Sequence, residues 1–230
     1  MAIMRPGPLA GQVSGRVGGV VFSRNRGGDY VRNGPSPTNP QTEYQVAVRN
    51  ALAAASSAWD DLTDDQRMAW RSWANDNPVR NRIGESIRLQ GNAAFVALNS
   101  RLVQTGSAVV DTPPLVSAPD PLLTVTGSFD IGAGDFQLAY TATPLAAGMK
   151  LWVVGCLVTS AGINNVKNRL RHFFTSAAAA ASPAAVESAF GTRFGAPVAG
   201  QYAWLRAGVL DSNNGQLSAM LEDHGIVVST

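Results

Sequence analysis

Residues 122–159 read LLTVTGSFDIGAGDFQLAYTATPLAAGMKLWVVGCLVT and decide the fold of the larger part of this 230-residue chain. Segments 122–131, 135–143 and 150–159 are rich in β-branched and aromatic residues, and turn formers separate them, including Gly132-Ala133-Gly134. This texture predicts three strands. Two further segments, 201–210 and 216–228, flank Asn214-Gly215, a dipeptide that favours tight hairpins.

A longer excursion, residues 164–195, lies between these strand groups. It holds a basic patch, an alanine run and a predicted helix over residues 183–194, with Ser182 as the cap and Pro183 in the first helical position. The basic patch consists of Lys167, Arg169, Arg171 and His172. Five or more strands at this spacing predict an immunoglobulin-like or fibronectin-type β-sandwich with a helical insertion over residues 113–230.

Residues 42–106 predict a helical section, so the fold class is α+β. Thr42 with Gln45, and Thr63 with Gln66, have the spacing of reciprocal capping boxes. Helical periodicity gives the first helix one apolar stripe, made of Val48, Leu52, Ala55 and Trp59. A third helix is predicted over residues 87–104, with Gly106 after its end and a shared face of Leu89, Ala93, Val96, Asn99, Leu102 and Val103.

Large aromatic side chains stand out in this helical section. Three short helices do not easily bury Trp59, Trp70 and Trp73, so these residues are interface candidates, with ordinary core packing as the alternative. Acidic residues also cluster here, at positions 60, 61, 64 and 65. Their place beside a helix start favours an interaction with free backbone amides over catalysis or calcium binding.

The first 41 residues differ from the rest because glycine and proline dominate them. A valine-rich segment and Phe22 precede the polar turn 23–29, and Tyr30-Val31-Arg32 follow it, which predicts a β-hairpin. Proline-rich residues 35–40 predict a stiff spacer. Because an isolated hairpin is marginal in water, we expect residues 1–41 to be an extended docking arm that orders against another surface.

Charge is unevenly distributed along the chain. Residues 1–104 contain 12 Arg against 8 acidic residues, whereas residues 105–230 contain 6 basic and 8 acidic residues. The arginines of the arm, Arg5 among them, are spaced among glycines and are not clustered with aromatics, which favours a protein partner over nucleic acid. The predicted contact residues of the arm are Arg16, Phe22, Arg24, Arg26, Tyr30 and Arg32.

Motifs for catalysis, cofactors or metals are not recognisable in this sequence. The single cysteine, Cys156, is expected to be a buried hydrophobe. Glu222-Asp223-His224 would point to different sides of a strand and so make a poor metal site. We therefore predict no catalytic, cofactor-binding or metal-binding residue, and no signal peptide or membrane span.

One resemblance adds to this interpretation. The chain resembles structural proteins of tailed bacteriophages and prophages in a pattern that runs from Gly11 through Gly15 and Gly18 to Phe22, then through residues 28–32, the proline-rich spacer, Thr42, Trp59 and Leu62-Thr63. The resemblance implies a virion component, made in the host cytoplasm and present in many copies or as a homo-oligomer.

Three function classes follow from this resemblance and from the residues. The first is a capsid decoration or cement protein that binds the major capsid protein or another virion protein through the arm and helices. The second is a head–tail junction, tail or fibre component whose sandwich binds host glycan. The third, a glycan-cleaving enzyme relying on Glu187 or Glu222, ranks lowest because nothing in the sequence selects a second carboxylate.

Overall fold

The computed structural model describes residues 2–3, 13–26, 28–34, 36, 38–81, 84–131, 135–160, 162–163 and 165–229. Helices and several antiparallel sheets occur together, which agrees with the predicted α+β class. The chain divides into two compact units, Met1–Glu43 and Tyr44–Thr230. Arg5 and the turn residues 132–134 lie outside the described residues.

The first unit contains a four-stranded antiparallel sheet in the order β1-β4-β3-β2. Its strands are β1 (Ala2–Ile3), β2 (Gly15–Val17), β3 (Val20–Asn25) and β4 (Gly28–Asn33). The predicted hairpin is present as β3 and β4, which pair from Val20↔Asn33 to Asn25↔Gly28. The turn between β3 and β4 is shorter than predicted, because backbone pairing extends into residues 23–29, the predicted turn. The predicted spacer falls partly on residues 35 and 37, outside the described residues.

Three helices open the second unit: α1 (Glu43–Asp60), α2 (Asp64–Asp76) and α3 (Gly91–Gln104). The capping box at the start of α2 is confirmed, since Gln66 N donates to Thr63 Oγ1 at 3.3 Å and Thr63 N donates to Gln66 Oε1 at 2.9 Å. Helix α3 begins later than predicted, because β6 (Ser86–Ile87) pairs with β5 (Val79–Arg80). Glycine at its start allows a close crossing, since a Cβ on Gly91 would lie 2.9 Å from Arg71 N.

The helical section has a core of its own, formed by Leu62, Trp70, Ala74, Ala94, Phe95 and Leu98. The stripe predicted for α1 is wrong in part: Ala51 and Ala55 are buried, whereas Val48 and Leu52 remain 50% and 51% exposed. The small side chains of Ala51 and Ala55 therefore form the buried face of α1. In α3 the buried face likewise includes Phe95 and Leu98 rather than Val96 and Val103.

Two antiparallel sheets form the rest of the second unit. One has the order β11-β8-β7 and the other β10-β9-β12-β13. Phe136, Leu138 and Tyr140 of the first sheet share one core cluster with Leu151 and Leu205 of the second. The strands are β7 (Thr124–Asp130), β8 (Asp135–Thr141), β9 (Met149–Val158), β10 (Arg171–Thr175), β11 (Ala184–Ala185), β12 (Tyr202–Asp211) and β13 (Leu221–Ile226).

The predicted helix over residues 183–194 starts too early. Ala184 and Ala185 form β11 opposite Leu138 and Gln137, so α4 begins only at Glu187 and runs Glu187–Phe194. Ser182 does not cap this helix, because its hydroxyl accepts a hydrogen bond from Tyr140 N at 2.9 Å. Pairing with the sheet therefore overrides the local helix-start pattern.

The hairpin predicted around Asn214-Gly215 is present, but its loop is longer than predicted: Leu210 pairs antiparallel with Leu217, and Asp211 N donates to the carbonyl oxygen of Gln216 at 2.9 Å. Residues 212–215 form the loop, which is longer than a two-residue turn, and β13 itself begins only at Leu221. Asp211 organises the beginning of the loop, accepting hydrogen bonds from Asn213 N at 2.9 Å and Asn214 Nδ2 at 2.7 Å. These bonds stabilise the loop, and backbone pairing resumes beyond it, where Ser218 N donates to the carbonyl oxygen of Val209 at 2.9 Å.

Candidate docking surface

The register of the first sheet separates the predicted arm contacts onto two faces. Arg16 lies opposite Val21, and Val21 lies opposite Arg32, so these three form one row across β2, β3 and β4. Tyr30 belongs to the same face, opposite Ser23. We call this surface the arginine face: Arg16, Val21, Tyr30 and Arg32.

The opposite side of this sheet is more apolar, and we call it the valine face: Val17, Val20, Phe22, Arg24 and Val31. Phe22 pairs with Val31, and Val17 pairs with Val20. Arg24 faces Asp29, with Nε 3.7 Å from Oδ1. The sheet therefore divides the predicted contact residues of its strands between two faces, and Arg26 lies between β3 and β4 and belongs to neither face.

Neither the arginine face nor the valine face is as buried as a protein core. Among residues 13–26 and 28–34, none is classed as buried, and Val17 is 71% exposed. Phe22 and Tyr30 are half-buried, whereas Arg16 and Arg32 are exposed. The described part of this sheet is held by its backbone ladder and lacks a closed apolar core of its own.

The arginines of the arm differ in how much of their hydrogen-bonding capacity is used. Arg24 is paired with Asp29, and Arg16 Nε donates to the carbonyl oxygen of Gly18 at 2.9 Å. Within the described residues, Arg26 and Arg32 form no ion pair. A guanidinium offers five donors, so these two side chains are equipped to bind carboxylates or carbonyls of a partner.

The three tryptophans proposed as contacts do not share one role. Trp70 is only 1% exposed and its Nε1 donates to the carbonyl oxygen of Asp111 at 2.7 Å, so it belongs to the core and is corrected as a contact candidate. Trp59 and Trp73 are half-buried, each against an inner ring. The Trp59 and Phe95 ring centroids are 5.5 Å apart, and those of Trp73 and Trp70 are 5.7 Å apart.

Glu222, Asp223 and His224 each contact another residue of the second unit. Asp223 Oδ2 accepts a hydrogen bond from Gly127 N at 2.6 Å, Glu222 pairs with Arg206, and the His224 ring stacks on Trp204. Among the described residues, no three His, Cys, Asp or Glu side chains form a group able to hold a metal ion. The predicted burial of Cys156 is confirmed, and burial raises the pKa of its thiol.

The pKa of His172 is strongly altered by its surroundings. Burial lowers that pKa to about 4, a backbone hydrogen bond opposes the shift, and the positive charge of Arg193 adds to it. Its Nε2 lies 3.1 Å from the carbonyl oxygen of Phe174 and 2.9 Å from Oγ1 of Thr175. The ring also stacks on Trp152 with a centroid distance of 3.7 Å. His172 is thus a neutral packing residue at pH 7.

We expect this neutral histidine to make the protein less stable in mild acid. The folded pKa of about 4 lies below the ordinary value of 6.5, so below pH 6.5 the unfolded chain binds a proton that the folded chain does not. The free energy of unfolding should fall by about 2 kcal/mol between pH 7 and pH 5 from this group. Urea unfolding of the parent and of His172→Phe isolates the effect, and parallel pH dependences in the two proteins would contradict it.

Comparisons of the chain with protein families, with curated proteins and with solved structures give no significant match. None of the helices among the described residues has both the length and the apolar character needed to cross a membrane. The candidate docking surface is therefore interpreted from its own geometry and from the sequence pattern that it carries.

Proposed function

We propose that this chain is a non-enzymatic structural protein of a bacteriophage virion, a capsid decoration or cement protein that docks through its N-terminal sheet. The observation that carries the proposal is the sheet of the first unit, in which no residue of 13–26 or 28–34 is classed as buried. A sheet without a closed core gains stability when a partner covers it. The resemblance to phage structural proteins includes this sheet, extends on to Trp59 and Leu62-Thr63, and supports a virion protein as that partner.

Both edges and both faces of this sheet support docking. Among the described residues, β2 pairs with β3 alone and β1 pairs with β4 alone, so each end of the sheet has one strand with a single described neighbour. An unpaired edge can receive a strand from another protein through main-chain hydrogen bonds. The arginine face adds Arg16 and Arg32, which suit a carboxylate-bearing or carbonyl-bearing protein surface.

The larger part of the second unit is proposed to be an immunoglobulin-like or fibronectin-type sandwich. Its support is the distribution of seven strands between an antiparallel sheet of three and one of four, which share a core. The chain changes sheets between β8 and β9, between β10 and β11, and between β11 and β12. A parallel bridge between Asp130 and Val228 also links the first and last parts of this segment.

The test of the docking role is incorporation into particles. We expect virions purified from the strain that encodes the chain to contain it in many copies, and Arg32→Glu to reduce its copy number at least tenfold. Reversing this charge turns an attraction to an acidic or carbonyl-rich surface into repulsion. Quantitative mass spectrometry of purified particles measures the copy number, and Arg88→Glu, an exposed arginine of the second unit, is the matched control.

Several outcomes would contradict this function. Complete absence from virions would reject the virion role, and a value of only a few copies per particle would favour a head–tail junction, tail or fibre position over shell decoration. Unchanged incorporation of both Arg32→Glu and a chain lacking residues 1–40 would reject the N-terminal sheet as the docking element. Circular dichroism of each variant shows whether a loss of incorporation reflects loss of folding.

A further inference from the structure

A cavity of about 350 Å³ lies in the second unit, between helices α2 and α3 and the segments that contain residues 117–118 and 216–217. Its walls are largely apolar, and the side chains that shape them include Trp73, Leu89, Leu98 and Leu217. Pockets that bind small molecules are concave, mainly apolar and fitted with few polar groups. This cavity has that composition and a volume at the small end of the usual range.

Among the described residues that line this cavity, the one cation is the guanidinium of Arg101 on α3. Its NH1 donates to the carbonyl oxygen of Gly215 at 3.1 Å. No carboxylate among the described residues forms an ion pair with it. Burial lowers the pKa of Arg101, yet an arginine remains protonated in proteins. Arg101 is therefore a partly desolvated charge with donors beyond the one that Gly215 uses.

The neighbouring polar side chains in the wall already use amide donors within the protein. Asn77 Nδ2 donates to the carbonyl oxygen of Trp73 at 2.9 Å. In the orientation that its neighbours require, the amide nitrogen of Gln216 donates to the carbonyl oxygens of Val116 at 3.2 Å and Ser117 at 3.3 Å. Arg101 is thus the group in this wall best equipped to recognise a charged ligand.

The residues that line this cavity favour a carboxylate over a phosphate as the bound anion. A carboxylate matches the planar fork of a guanidinium and carries a single charge. A phosphate would bring more charge and more acceptor oxygens than one arginine satisfies, and its apolar surroundings would not hydrate it. The apolar walls in turn favour a ligand whose remaining atoms are hydrocarbon.

We propose that this cavity is a binding site for a small organic carboxylate with an apolar body, such as a medium-chain fatty acid. The carboxylate accepts hydrogen bonds from Arg101, and the hydrocarbon packs against Trp73, Leu89 and Leu98. This site is separate from the docking sheet, and its existence does not depend on the proposed virion role.

Octanoate is the probe for this site, titrated into the full-length protein and followed by calorimetry and tryptophan fluorescence. We expect saturable binding at one site, with a change in fluorescence that Trp73→Phe diminishes. Octanol should bind at least tenfold more weakly, because it lacks the charge that pairs with Arg101. Acetate should also bind at least tenfold more weakly, because it lacks the hydrocarbon that fills the apolar walls.

Two variants test separately the contribution of the Arg101 charge and that of the apolar walls. Arg101→Gln should weaken octanoate binding tenfold or more while leaving octanol binding unchanged, and Arg88→Gln is the matched control. Ala97→Leu places extra methyl groups into the cavity from α3 and retains Arg101, so it should block both ligands. Unfolding curves establish that each variant is folded. If Arg101→Gln fails to fold, Ala97→Leu and the comparison of octanoate with octanol still test the site.

Three results would overturn this inference. The first is the absence of octanoate binding at millimolar concentration, and the second is equal affinity for octanoate and octanol. The third is unchanged octanoate binding by a folded Ala97→Leu or Arg101→Gln protein. Binding of an apolar peptide with a free C-terminal carboxylate, in the absence of octanoate binding, would also overturn it and assign the cavity to a protein ligand.

Discussion

Replacing Trp70 by alanine is expected to lower the free energy of unfolding by about 3–5 kcal/mol. The indole is 1% exposed and contacts Phe95 edge-on, with ring centroids 5.3 Å apart. Its removal leaves a cavity in the helical core and deprives the carbonyl oxygen of Asp111 of the Nε1 hydrogen bond. Urea unfolding followed by circular dichroism measures the loss.

Met68→Ala is the matched control because this residue lies on the same helix but is 60% exposed. It should change the free energy of unfolding by about 0.5 kcal/mol or less. Trp70→Phe should fall between the two, since it keeps much of the apolar volume and loses the hydrogen bond to Asp111. A Trp70→Ala protein as stable as Met68→Ala would show that the indole is not a core residue.

Gly215→Ala should cost about 2–5 kcal/mol, for two reasons that add. The residue has a φ of +73°, where a side chain is strained, and its Cβ would collide with the carbonyl oxygen of Leu98. The carbonyl oxygen of Gly215 also accepts the hydrogen bond from Arg101, so a shift of this backbone weakens that contact. Urea unfolding of Gly215→Ala and of the parent protein gives the difference.

Gly200→Ala measures the effect of backbone strain without a collision. Gly200 also has a positive φ, +91°, but a Cβ there would meet no atom within 4 Å. It should cost about 1 kcal/mol, the strain of a left-handed residue alone. Equal losses for Gly200→Ala and Gly215→Ala would contradict the close approach of Gly215 to α3.

The elements best predicted from the sequence are those whose signals are local and undisputed. The capping box of Thr63 and Gln66 needs only four adjacent residues, and the structure contains both of its hydrogen bonds. The strand segments were also recognisable, because β-branched runs separated by turn formers fit few alternatives. The hairpin of β3 and β4 belongs to the same group, although its register, and hence the arginine face, required the structure.

Long-range pairing explains the errors. Residues Ser182 and Pro183 carry a valid helix-start signal, yet Ala184 and Ala185 pair with β8 and delay the helix to Glu187. No local sequence pattern indicates Arg101 as a binding residue. Its role depends on α2, α3 and the segment after β12 meeting around one cavity, and these are remote from one another along the chain.

The backbone contact at Gly215 also bears on how the larger unit unfolds. The connection after β12 is seated against Leu98 on α3, and Arg101 bonds to the same connection. Unfolding of α3 therefore removes a packing contact from the end of β12. Unfolding of β12 in turn exposes α3 to solvent. We therefore expect the helical section and the sheets to unfold together, with residues 44–230 behaving as a single thermodynamic unit.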